Sequence, residues 1–227
     1  MDRPYIKVFE EERELTVMFV VDISASSLFG TMRRTERELA TEIVATLAFS
    51  AMQNNDKIGA LLFTDRVEKF IPPGKGRRHV LYIVRELLDF EPQGRRTNVG
   101  VAMEYLMRVM TKRSITFVLS DFLDTRSFDK PLQVASRKHD LIALRIYDPC
   151  MAELPDVGLI RVADAETGHE QYVDTSSRAV RRQVRQWWAD SQRHWEELFK
   201  RSGAGYAAIA TNGDFVKPLM NLFARRG

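Results

Sequence analysis

The chain has 227 residues, 44% hydrophobic and 29% charged, which is enough for one sizeable α/β domain and shows no low-complexity or disordered tract. A formal net charge of +3 without a basic stripe argues against nucleic acid as a partner. The single cysteine, Cys150, excludes an internal disulfide and a cysteine-rich zinc site.

The N-terminus is charged and lacks signal-peptide architecture, and no apolar run approaches the ~18 residues of a membrane helix. The expectation is a soluble, cytoplasmic protein without membrane insertion. Leu15 to Val21 is a continuous apolar run, read as a buried central strand that ends at once in small polar residues. A loop from Ser26 to Arg34 follows, and Thr35 with Glu38 forms a capping box. The helix it opens places Leu39, Ile43, Val44 and Leu47 on one face and stops at Asn54-Asn55-Asp56. Ile58 to Phe63 is a second buried strand, with Val67 to Ile71 returning beside it before a break at Pro72–Gly76.

A second helix carries Val80, Leu81, Val84, Leu87 and Leu88 at helical spacing. The loop Pro92–Arg96 delivers Thr97 to a third helix with Val99, Met103, Leu106, Met107 and Met110 on its buried face. Ile115 to Leu119 is the next strand, ending at Ser120-Asp121; helix Phe128–Lys138 and strand Leu141–Ile146 continue the alternation. Gly158–Val162 and Glu170–Val173 predict a β-hairpin around Glu166-Thr-Gly168. A long helix with Trp187, Trp188 and Trp195 follows, its tryptophans expected to pack on the sheet and Arg181, Arg182 and Arg185 to face solvent. A short strand Gly205–Ala210 and an amphipathic helix with Phe215, Leu219, Leu222 and Phe223 close the chain.

This βαβα order predicts a doubly wound, mostly parallel sheet with helices on both faces, plus a hairpin and a long helix in the C-terminal part. No linker or repeat divides it. One domain over residues 1–227 is expected, with a lead-in at 1–12, a core at 13–150 and a C-terminal part at 151–227.

In such a sheet, loops at the carboxyl ends of neighbouring strands lie side by side. Asp22, Ser24 and Ser26 sit at one strand end, Asp121 at another, and Thr97 in a loop able to reach the same edge. All five offer oxygen. Histidine and cysteine are missing from the set, which favours Mg2+, with Mn2+ or Ca2+ as alternatives, over zinc or copper. The four histidines are scattered, without ligand spacing. Two pairs, Arg33-Arg34 and Arg95-Arg96, adjoin these loops. They are either ordinary loop charges or a basic rim that steers an acidic partner toward the metal.

The Asp-x-Ser-x-Ser, threonine and aspartate set resembles the metal-ion-dependent adhesion site of von Willebrand factor A domains. Glu11–Val17, Ala48-Phe-Ser50, Asn54–Lys57, Ile71-Pro-Pro73, Leu119-Ser-Asp-Phe122 and Asp164-x-Glu166-Thr-Gly168 resemble one bacterial subgroup of uncharacterised function. Its members are typically encoded beside MoxR-type AAA+ ATPases. Two features depart from the pattern. Relatives usually carry a further N-terminal region, so a shorter form is expected, and Arg96 stands where many have glycine.

The resemblance implies that Ser24 and Ser26 bind the metal through their hydroxyls, and that Thr97 binds directly or through water. Asp22 and Asp121 would hold metal-bound waters or move into direct contact. An acidic side chain from another molecule would complete the coordination as sixth ligand. Asp124, beyond the strand end, lies outside the motif. The function this implies is a non-enzymatic, magnesium-dependent adaptor that binds a MoxR-type ATPase, its protein client, or both, in chaperone-like maturation or assembly.

Two rivals also cluster acids at strand ends: a magnesium-dependent phosphoryl-transfer enzyme and a phosphoacceptor receiver. Against the first, no phosphate-binding glycine loop or nucleophile elbow follows a strand. Against the second, paired acids after the first strand are missing.

Overall fold

The computed structural model describes residues 14–31, 34–124 and 126–225. Eight strands and seven α-helices alternate along it: β1 (Thr16–Asp22), α1 (Glu36–Gln53), β2 (Lys57–Phe63), β3 (Val67–Gly74), α2 (Arg77–Asp89), α3 (Val99–Val109), β4 (Ile115–Ser120), α4 (Asp129–Lys138), β5 (Asp140–Tyr147), α5 (Pro149–Ala152), β6 (Leu159–Ala163), β7 (Glu170–Asp174), α6 (Arg178–Ser202), β8 (Gly205–Ala210) and α7 (Val216–Ala224).

Six strands form one sheet in the order β3-β2-β1-β4-β5-β8, while β6 and β7 pair separately as the hairpin. Every pairing in the large sheet is parallel except β2 with β3. The expected α/β, doubly wound architecture is the observed one.

Alternation on β1 explains its unbroken apolar run. Phe19 and Val21 face a layer containing Leu39, Ile43, Ile83 and Leu219, from α1, α2 and α7. Met18 and Val20 face the opposite layer, with Met103, Leu132, Leu198 and Phe199 from α3, α4 and α6. A strand covered on both faces has no polar side to display. The capping box at Thr35 and Glu38 forms as expected and fixes where α1 starts.

Some local expectations shift. β3 runs on through Pro72 and Pro73 instead of breaking there. It is an edge strand, and the register shift between Ile58–Gly74 and Ala60–Ile71 sets Pro72 and Pro73 together opposite Gly59, where the ladder is irregular and the missing N–H groups are tolerated. On α2 the buried residues are Val80, Ile83 and Leu87, while Leu81 and Leu88 are exposed because the helix sits at the margin of its layer. The three tryptophans part company. Trp195 is buried, Trp188 packs on Tyr147, and Trp187 is 46% exposed because the first half of α6 projects beyond the sheet. Among the described residues, no helix is long and apolar enough to cross a membrane.

Candidate metal centre

The order β2-β1-β4-β5 reverses direction between β1 and β4, since β1 leads to α1 on one face and α3 precedes β4 from the other. Such a switch point leaves a crevice beyond the strand ends. Asp22 closes β1, and Asp121 follows the last residue of β4. Past Asp22, the chain makes a 3-10 turn over Ala25–Leu28, which brings the hydroxyls of Ser24 and Ser26 within 3.0 Å of each other.

Thr97 comes from the loop before α3. Its hydroxyl donates to Ser24 Oγ at 3.0 Å. Three hydroxyls from two distant segments therefore form one continuous cluster. The two loops are also joined through their backbones, Ala25 N–H donating to the Arg95 carbonyl at 3.0 Å. Arg96 in place of glycine leaves this link intact. Asn98 caps α3 by accepting from Val101 N–H, which holds Thr97 at the helix start.

The carboxylates lie beneath. Asp22 accepts from Ser24 N–H at 2.9 Å and from the Ser120 hydroxyl at 2.7 Å. Asp121 accepts from Leu123 N–H at 2.9 Å. Both aspartates are buried, and no salt bridge partners either one among the described residues. Burial, then the charge of Asp121, pushes the Asp22 carboxyl up to about 7, against hydrogen bonds from Ser120 and Ser24 that pull it down. Asp121 is also raised, first by burial, although Arg145 opposes that shift. A cavity of about 10 Å³, room for roughly one water, is lined by Asp22, Ser26, Glu36, Ser120 and Asp121 among others.

The donor set suits a hard cation. Five oxygen-bearing side chains from three loops face one crevice, and two of them are buried carboxylates without a salt bridge among the described residues. Among the described residues no three His, Cys, Asp or Glu side chains converge as a metal cluster. Hydroxyls supply the larger share of this set. That pattern fits magnesium, which keeps several waters and needs few carboxylates.

The basic rim is only partly where the sequence put it. Arg33 lies outside the described residues. Arg34 is committed elsewhere: it donates to the carbonyls of Thr211 (2.7 Å) and Gly213 (2.6 Å) and pairs with Glu42. Arg95 and Arg96 are exposed beside Thr97, and Arg95 reaches the Ala165 carbonyl at 3.4 Å.

These loops match a known family. The model for "Protein of unknown function DUF58" covers residues 1–194. The chain belongs to this family. Uncharacterised proteins of Mycobacterium tuberculosis and Mycobacterium bovis are each 32% identical to it over 167 residues, 73% of this chain and 53% of theirs. The chain thus spans about half the length of these relatives. Among solved structures, the conserved hypothetical protein BatB from Bacteroides thetaiotaomicron superposes with a TM-score of 0.63 at 16% identity, over 93% of this chain and 98% of that one. An aerotolerance-related membrane protein from Bacteroides fragilis gives 0.62 at 16%, over 93% and 99%. These two likenesses concern the fold alone.

The family match takes in all three site loops and the hairpin, and ends within α6. Within it, the structure adds residues that sequence reasoning missed. Glu36, the first residue of α1, lines the cavity and is only 4% exposed. Burial, with the charges of Asp121 and Asp22 behind it, raises its carboxyl to about 10, so it carries a proton at neutral pH. In the sequence it looks like an ordinary acid at a helix start.

Glu68 on β3 accepts from Gly94 N–H (2.7 Å), Gln93 N–H (3.2 Å) and the Thr64 hydroxyl (2.7 Å), tying down the loop that carries Thr97. Asp124, outside the motif, accepts from Val99 N–H at 3.0 Å and so links the β4 loop to α3. Phe122 takes a left-handed φ of 56°, costly for a bulky side chain. Its ring is held by Phe199 at 5.0 Å and Trp195 at 6.2 Å. Buried Arg145 donates to the Asp121 carbonyl at 3.2 Å and stacks on Trp188 at 4.3 Å. None of these roles stands out in the sequence, because each depends at least in part on a partner in another element.

Proposed function

We propose that this chain is a metal-dependent protein-docking module, in which the hydroxyls of Ser24, Ser26 and Thr97 would hold magnesium and an acidic side chain of a partner would complete the site. One observation carries the reading: three hydroxyls from two loops form a cluster within 3.0 Å contacts above two buried aspartates. The aspartates would supply negative charge beneath the ion, and the hydroxyls would supply neutral ligands. A site so weakly charged leaves the metal electrophilic toward an incoming carboxylate.

The partner we infer from the family resemblance is a MoxR-type AAA+ ATPase or the client it remodels, with this module as the adaptor. Arg95 and Arg96 favour an acidic approach surface. Both Asp22 oxygens already accept hydrogen bonds and the residue is buried, which disfavours its use as a phosphoacceptor or nucleophile.

Calorimetric titration of Mg2+ and Mn2+ into the wild type and Asp22→Ala tests the site. Saturable binding in the wild type and none in the variant is expected. Equal heats in both would refute it. Association with a purified MoxR-type ATPase should require Mg2+ and be abolished by EDTA; binding indifferent to EDTA would remove the metal from the docking step.

A further inference from the structure

The β6–β7 hairpin pairs apart from the main sheet, and its tip reaches back to the loop before α3 through Arg95 and the Ala165 carbonyl. Pairing runs from Leu159 with Asp174 to Ala163 with Glu170, leaving a tip at residues 164–169. Most of the hairpin is exposed, with Leu159 at 68% and Tyr172 at 72%. Ala165 and Glu166 are half-buried although the residues on either side of them are exposed.

The tip is internally rigid. The Asp164 carboxylate accepts from Glu166 N–H at 2.9 Å and Thr167 N–H at 2.8 Å, and Gly168 N–H donates to the Asp164 carbonyl at 2.8 Å. Gly168 has φ of +72°, which glycine adopts without strain. This turn aims the Glu166 side chain at the strand-end crevice. Its carboxylate comes near Thr97 and lies close enough to Asp121 to feel its charge. Arg95 steadies the approach through the Ala165 carbonyl.

Glu166 adds a further acid to Asp22, Asp121 and Glu36 around one crevice, which is unfavourable unless a cation or bound protons offset the charge. No salt bridge to Glu166 occurs among the described residues. The residue it lies beside, Thr97, is one of those proposed above to hold the metal. We infer that Glu166 is an intramolecular ligand that occupies the position of the partner's acid over the Asp22–Ser24–Ser26–Thr97–Asp121 site. Resting on the docking function proposed above, this makes the hairpin a built-in competitor. A partner carboxylate gains the metal by displacing Glu166, with the mostly exposed hairpin swinging aside.

The test uses the full chain with Mn2+, read by calorimetry and by water-proton relaxation, which counts exchangeable waters on the bound ion. Wild type, Glu166→Gln, Glu166→Ala and Asp22→Ala are compared, with Glu170→Gln as a control for charge on the same hairpin. Loss of the Glu166 carboxylate should weaken Mn2+ binding by about tenfold and add an exchangeable water. Acetate, added as a carboxylate probe, should then lower the relaxation signal in the Glu166 variants and leave the wild type unaffected. Glu170→Gln should behave as wild type. Mn2+ bound with unchanged affinity and hydration in the Glu166 variants, yet lost in Asp22→Ala, would overturn the role of Glu166 and leave the metal site standing. Absence of Mn2+ binding in the wild type would overturn the site and this inference together.

Discussion

The loops ending β1 and β4 and the region formed by the hairpin with the first half of α6 are held in place by different means. At the strand ends each loop is bonded to another: Ala25 to Arg95, Ser24 to Thr97, Ser120 to Asp22, and Val99 to Asp124. The side chains involved are mostly buried. The hairpin and the start of α6 are mostly exposed, with Arg181 joined to Asp156 and to the Thr175 carbonyl as a main anchor at the base. Arg178, Arg181, Arg182 and Arg185 line an open concave surface there. A binding site needs geometry fixed to a fraction of an ångström, while an arm that blocks it must be able to leave.

The contrast is broken or sharpened by mutation along α6 first. Trp195→Ala, at the buried end among Phe122, Phe128 and Phe199, should cost about 3–5 kcal/mol in urea unfolding. A cost near zero would mean that α6 does not support the β4 loop.

The next effect comes from the metal. Asp22 ionises near 7 in the folded chain, against an ordinary 3.8. Between those values the folded state keeps a proton that the unfolded state has released, so stability should fall as pH rises through that window. Magnesium at a hundred times its dissociation constant should restore about 2.7 kcal/mol at pH 7 and less at pH 5, where the proton competes. Thermal melts with and without Mg2+ at both values check this, and a pH-independent increment would contradict it.

Smaller again is Gly94→Ala. A Cβ there would collide with Thr64 Oγ1 and Asp65 Oδ1. The loop bearing Thr97 would have to move, at about 1–3 kcal/mol, with weaker Mn2+ binding as its second readout. The smallest effect is expected at Trp187→Ala, on the exposed half of α6, within about 0.5 kcal/mol. A large loss there would show that the projecting half is held more firmly than its exposure suggests.

What could be read from the sequence follows the same division. Strands buried on both faces declare themselves by unbroken apolar runs, and the capping box marked the start of α1, because both signals are local. Asp22, Ser24 and Ser26 were visible for the same reason: they lie within five residues of a strand end. The edge prolines of β3, the true face of α2 and the exposure of Trp187 were not visible. Each depends on how much of an element its neighbours cover.

The sequence alone determined the order of elements, the all-oxygen character of the candidate site and the family resemblance. Tertiary structure decided which distant residues meet. It brought Thr97 onto Ser24, drew Arg34 away from the rim toward Thr211 and Gly213, placed Glu36 on the cavity and set Glu166 against Thr97. The physical reason is range. Periodicity and caps act over a few residues, whereas these contacts join positions about 70 to 180 apart in the chain, which only the packed sheet brings together.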